Sequence, residues 1–205
     1  MPEITGAFSV EAWVAPQAYP WNWCAIVNQE FEHQRGFFFG IDAEGSVGFH
    51  AAIARQWREC ISEEKIPFME WSHIAATFHP DSGISLFING ECAGMLRVKG
   101  DLLNDFKKDL QIARNHRLTI PSSLNRGGFV RVPASYSFDG IIDELKICQG
   151  VASAYELRHS YNQNRPNEKP PLTWRKLPAI NTDYQEFGAF YTRLEYDEDL
   201  SLIHI

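Results

Sequence analysis

Long hydrophobic runs are missing from this sequence. No apolar stretch approaches 18 residues, so nothing in it reads as a membrane-spanning helix. The N-terminus, MPEITGAFSVEAW, has neither the basic region nor the apolar core of a secretory leader. Positive charge is in deficit: 19 lysines and arginines against 26 aspartates and glutamates leave a formal net charge of -7. That balance argues against a nucleic-acid partner, because phosphate binding needs a cationic field. The four cysteines (Cys24, Cys60, Cys92, Cys148) contain no C-x-x-C pair, which disfavours zinc ribbons and dithiol redox motifs. Their even number leaves open two disulfides, in any of three connectivities, or buried free thiols. The seven histidines show no H-E-x-x-H or similarly tight ligand spacing. Neither G-x-S-x-G nor a glycine-rich phosphate loop occurs.

What is present is strand after strand. In AFSVEAWVA, Phe8, Val10, Ala12 and Val14 fall on one face, with Ser9, Glu11 and Trp13 on the other. Asp42 to Gly45 reads as a turn joining GFFFGID to SVGFHAAI. QWRECIS is a further short strand, and WSHIAATFHP puts Ile74, Ala76 and Phe78 on one face. Asp81 to Gly83 turns the chain into ISLFI. Asn89-Gly90 turns it again, both positions tolerating φ > 0. DLQIAR and FDGIIDELKI complete a series of about ten strands. Only AYELRHSY reads as a helix, opened by a Ser153/Glu156 capping box. Between Phe8 and Lys146 there is no room for the crossover helices of a parallel sheet. The expectation is therefore an all-β, two-layer antiparallel sandwich with a short C-terminal helix.

After Tyr161 the composition shifts. Residues 163–173 carry Pro166, Pro170 and Pro171 among polar side chains and read as a linker. Residues 174–205 are rich in aromatics but too few to bury a core of their own. They read as the truncated start of a further, covalently linked domain, with LSLIHI looking like a non-native tail. Residues 1–162 form the sandwich.

The segments GAFSVEAWVAP, GFFFGIDAEGSVGFHAAI, EWSHIAATFHPDSGISLFINGECAG, LQIAR and FDGIIDELKICQGVASAYEL occur in an order and spacing that resembles the laminin G-like, concanavalin A-like jelly-roll superfamily, roughly from Ala7 to Tyr161. The resemblance implies a jelly roll. It implies a strand before Phe8 for which MPEIT leaves little length, so the first strand is expected to be missing. It also implies an extracellular, periplasmic or cell-surface setting and a non-catalytic module that binds carbohydrate or adheres to a partner. Two alternatives stand beside that reading: an accessory domain of a secreted polysaccharide-degrading enzyme, and a protein–protein interaction module.

Some sandwiches of this superfamily hydrolyse glycosides. Retaining cleavage needs two carboxyls about 5–5.5 Å apart, which positions i and i+2 of a strand supply at about 6.6 Å between Cα atoms. Asp143 and Glu144 are adjacent and point to opposite faces, while Asp139 and Asp143 lie about 13 Å apart along the strand. Neither pair suits the mechanism, and no catalytic residue is assigned. Structural calcium is the cofactor the resemblance implies, and Asp139 and Asp143 are its candidate ligands, since calcium takes oxygen donors.

Two stretches are candidates for ligand binding. YPWNWC places Tyr19, Trp21 and Trp23 in one loop, with Trp57 as an addition. Aromatic faces stack on the C–H faces of sugar rings, although tryptophans also pack readily against a core. RNHRLTIPSSLNRGGFVRVPAS is a long connection bearing Arg114, Arg117, Arg126 and Arg131, whose guanidinium groups suit an anionic polysaccharide.

Overall fold

The computed structural model describes residues 4, 6–20, 22–104, 109–115, 137–166 and 169–170. Trp21, Arg117, Arg126, Arg131, part of the expected linker and the segment 174–205 lie outside the described residues.

Ten strands and one helix follow one another along the described chain. They are β1 (Phe8–Pro16), β2 (Cys24–Asn28), β3 (Phe37–Ile41), β4 (Ser46–Ile53), β5 (Gln56–Lys65), β6 (Ser72–His79), β7 (Gly83–Ile88), β8 (Glu91–Leu96), β9 (Gln111–Ile112), β10 (Gly140–Gln149) and α1 (Ala154–Gln163). They form two five-stranded antiparallel sheets. Sheet A runs β10-β1-β6-β7-β8 and sheet B runs β5-β4-β3-β2-β9.

The period-2 alternation decides which side chains meet between the sheets. Phe8, Val10, Ala12 and Val14 of β1 and Ile74, Ala76 and Phe78 of β6 join Phe37, Phe39, Val47 and Phe49 of sheet B in one core. The Phe8 ring lies 5.1 Å from that of Phe37, and Phe37 stacks on Phe49 at 5.7 Å. Each such ring, fully removed from water, contributes on the order of 1.5–3 kcal/mol.

The turns follow their local chemistry. Asn89-Gly90 has both residues in the left-handed region, at φ 52° and 79°. The Asp42 carboxylate accepts the N–H groups of Glu44 and Ser46, each at 2.8 Å, which closes the β3–β4 turn. Ser153 and Glu156 make the expected reciprocal capping box at the start of α1. The four cysteines are free thiols, Cys24 and Cys60 buried and Cys92 and Cys148 exposed. Burial pushes the Cys24 thiol up to about 12, with the Asp139 charge adding to the effect, and the Cys60 thiol up to about 11.

Helix α1 lies over the outer face of sheet A. Leu157 packs with Ala75 and Phe87, and Tyr161 stacks on Trp13 at 5.5 Å. Beneath it, the Glu11 carboxylate accepts from Ser160 Oγ at 2.8 Å and from Lys146 Nζ at 3.1 Å, and His73 Nε2 stands 3.3 Å away. Burial alone would raise the Glu11 carboxyl, but the hydrogen bonds from His73, Ser160 and Lys146 outweigh it and bring the pKa down to about 2.

Candidate functional site

Sheet B leaves its outer face without a covering helix among the described residues, and that face is aromatic. Strand register sets it in rows. Asn28 of β2, Phe38 of β3, His50 of β4 and Glu59 of β5 are successive partners across the sheet. Ala25, Gly40, Gly48 and Ile61 form the row beside it. Glycine at 40 and 48 makes a trough, and the Trp23 indole fills it. A Cβ at Gly48 would fall 2.4 Å from Trp23 ring atoms and 2.5 Å from His50 Nε2.

Trp23 therefore corrects the sequence expectation of a loop aromatic turned to solvent. It is 0% exposed and packs with Ala25, Phe38 and Trp57. Its position is held by Asn115, whose side chain donates to Trp23 O and accepts from Ala25 N, both at 2.8 Å, like one residue of an added strand. Tyr19 is likewise committed to packing. Its hydroxyl donates to Ile66 O at 2.6 Å, and its ring meets Phe68 edge-on at 5.7 Å. Tyr19 sits against Gly45 of the β3–β4 turn, at the end of the sandwich opposite the start of β5 where Trp57 stands. The structure thus separates Tyr19 from Trp57 instead of gathering them into one site.

Trp57 is the half-buried member of the aromatic group. It pairs with Ala52 at the start of β5, and the imidazole of His33 lies on it, with centroids 4.8 Å apart and planes 17° from parallel. The ring of His50 is parallel to it at 6.4 Å. His50 is 0% exposed and neither of its ring nitrogens has a partner. Burial, with a smaller effect from His33, lowers its pKa to about 3, so it is a neutral imidazole in the middle of the face. Burial also lowers His33, against the opposing charge of Glu30. The Glu59 carboxyl is pushed up by desolvation, against a lowering contribution from the Trp57 indole N–H.

The remaining candidates fall elsewhere. Arg114 is exposed at the β9 edge, where it bridges to Ser137. Asp143 accepts the N–H of Glu144 at 2.8 Å. Glu144 has φ 49°, and the register between β1 and β10 shifts there, which makes Asp143 the cap of a β-bulge. Asp139 precedes the strand and its carbonyl accepts from Gln17 N at 2.8 Å. Among the described residues no group of three or more His, Cys, Asp or Glu side chains is placed to hold a metal.

Comparison with known proteins agrees with this architecture. A laminin G-like family profile, described as the concanavalin A-like lectin/glucanases superfamily, matches residues 2–158, and the chain belongs to that family. Among solved structures, a heptameric SAP-like pentraxin from Limulus polyphemus aligns with TM-score 0.53 and 14% identity, over 79% of this chain and 73% of that one. Domain 4 of an extracellular arabinanase from Geobacillus stearothermophilus, solved with arabinotriose, aligns with TM-score 0.53 and 16% identity, over 77% of this chain and 67% of that one. The binding domain of botulinum neurotoxin DC in complex with SialylT aligns with TM-score 0.52 and 13% identity. There the match spans 77% of this chain but 35% of the other. At such identities these likenesses establish the jelly-roll fold and nothing finer. No curated protein matches the chain.

Proposed function

We propose that this domain is a non-catalytic, extracellular carbohydrate-binding module, and that its sugar platform is the Trp57–His33 stack on the outer face of sheet B. The observation that carries the reading is the half-buried Trp57 indole, locked in orientation by His33 and backed by His50, Phe38 and Trp23. A rigid indole presents a flat apolar surface to a pyranose or furanose ring at little cost in side-chain entropy. Polar groups around it, Glu59 and the β2–β3 turn, are of the kind that meets hydroxyls. The arabinotriose complex of the arabinanase domain and the SialylT complex of the neurotoxin domain support the ligand class by likeness of fold. The arabinanase likeness also favours the narrower setting of an accessory domain in a polysaccharide-degrading enzyme.

A glycan array probed with the labelled domain tests this. Binding to at least one glycan, lost in Trp57→Ala while the circular dichroism spectrum is kept, is the expected result. An array on which the wild-type domain binds nothing overturns the reading and leaves protein–protein interaction as its replacement.

A further inference from the structure

At the end of the sandwich next to the platform, the β2–β3 and β4–β5 turns, the segment from Asp101 to Asn104 and the residues Ile4 and Gly6 line an open cavity of about 920 Å³. Its size is that of a ligand pocket. The frame is stiff. Gly36 N donates to Leu103 O at 2.6 Å, Leu103 N to Ala52 O at 2.8 Å, and Ala54 N to Asp101 O at 3.2 Å. A Cβ at Gly36 would fall 2.0 Å from Gln29 O, so only glycine lets the two chains pass so closely.

The two turns are built against local preference. Glu32 and His33 have φ 49° and 56°, and Ala54 and Arg55 have φ 49° and 64°. Each such residue costs about 1 kcal/mol or more relative to glycine. The β7–β8 turn solves the same problem with Asn89-Gly90. Retaining side chains at the strained positions places His33 and Arg55 on the cavity wall, beside Arg35 and Asn104. Arg55 is exposed and forms no ion pair among the described residues. His33 Nε2 is buried in the wall without a partner. Asp101 is the carboxylate among the described lining residues, and Arg55 stands among them in a chain whose net charge is -7.

We infer that this cavity is a subsite for the oxyanion of an acidic glycan, a carboxylate or sulfate group received by Arg55, while the adjoining sugar ring lies on Trp57. The inference rests on the platform reading, because His33 belongs both to the cavity wall and to the Trp57 stack. A guanidinium offers paired N–H donors in the geometry that carboxylate and sulfate oxygens accept, and the Asp101 carboxylate is suited to a neighbouring hydroxyl.

The test is calorimetric titration of the domain with three probes: a neutral arabino-oligosaccharide, an oligogalacturonate and a heparin-derived oligosaccharide, each at low and raised salt. An acidic probe should bind more tightly than the neutral one and weaken with salt. Arg55→Gln should weaken the acidic probe about tenfold or more and leave the neutral probe within about twofold. Arg55→Lys should recover part of the loss. The preferred acidic probe identifies the oxyanion as carboxylate or sulfate. Equal affinity for neutral and acidic probes, or an Arg55→Gln variant that binds acidic glycan as the wild type does, overturns the inference and leaves the platform intact. Absence of binding to every probe overturns both.

Discussion

The imidazole of His33 and the indole of Trp57 lie face to face, 4.8 Å between centroids and 17° from parallel, and they join the β2–β3 turn to the edge strand β5. His33 covers one face of the indole, while His50 lies parallel to it at 6.4 Å. His33→Ala should therefore expose the indole face that His33 covers. The expected outcome is a red-shifted tryptophan emission and a loss of about 0.5–1.5 kcal/mol in urea unfolding, the worth of an aromatic pair beyond its area. Unchanged emission would mean that the stack does not persist in solution.

Gly48→Ala tests the trough. The added methyl would sit 2.4 Å from the Trp23 ring and 2.5 Å from His50 Nε2, well inside any real contact. Overpacking of this kind typically costs about 1–3 kcal/mol. A lower thermal midpoint is expected, with near-ultraviolet dichroism altered and the far-ultraviolet spectrum kept. A variant as stable as the wild type would contradict the placement of Trp23.

Much of this fold was legible before any coordinates. Phe8, Val10, Ala12 and Val14 alternate clearly, Asn89-Gly90 carries its turn type in its chemistry, and Ser153 with Glu156 announces the helix. The site was harder to read, for physical reasons. Trp23 looks like a loop residue until strand register brings Gly40 and Gly48 beneath it, and register is a long-range property. The Ala54-Arg55 turn contains no Gly, Asn, Asp or Pro, so nothing local in the sequence marks it or singles out Arg55. Of the named aromatics among the described residues, Trp57 alone combines partial exposure with a fixed ring on the outer face of sheet B.

Acid should loosen α1 through Glu11. Its folded pKa of about 2 lies below the ordinary 4.5, so its contribution is complete above about pH 4.5 and is lost as pH falls through 2. A shift of this size corresponds to stability on the order of 2–3 kcal/mol. Glu11→Gln should lower the thermal midpoint at pH 7 and flatten its decline below pH 4.5. A parallel decline in both proteins would sink the assignment.

His50 acts in a higher window. Its folded pKa of about 3 lies below the ordinary 6.5, so the unfolded chain takes up the proton first. Stability is complete above pH 6.5 and is lost progressively from there down to about 3. His50→Phe removes two buried nitrogens that have no partner and keeps an aromatic ring, a larger one, at the position. It should match or exceed wild-type stability at pH 7 and show a smaller loss between pH 6.5 and 4.5. An unchanged slope would mean that His50 does not resist protonation in the fold.

The most direct measurement of the central claim is a titration of the isotopically labelled domain, with a glycan selected from the array, followed through the indole N–H resonances in a nitrogen–proton correlation spectrum. Trp57 lies on the outer face of sheet B, whereas Trp13 is buried beneath Tyr161 on sheet A and serves as the internal control. The account predicts a saturable shift of the Trp57 signal with Trp13 unmoved. A saturating glycan that shifts Trp13, or that binds while leaving Trp57 in place, would contradict it.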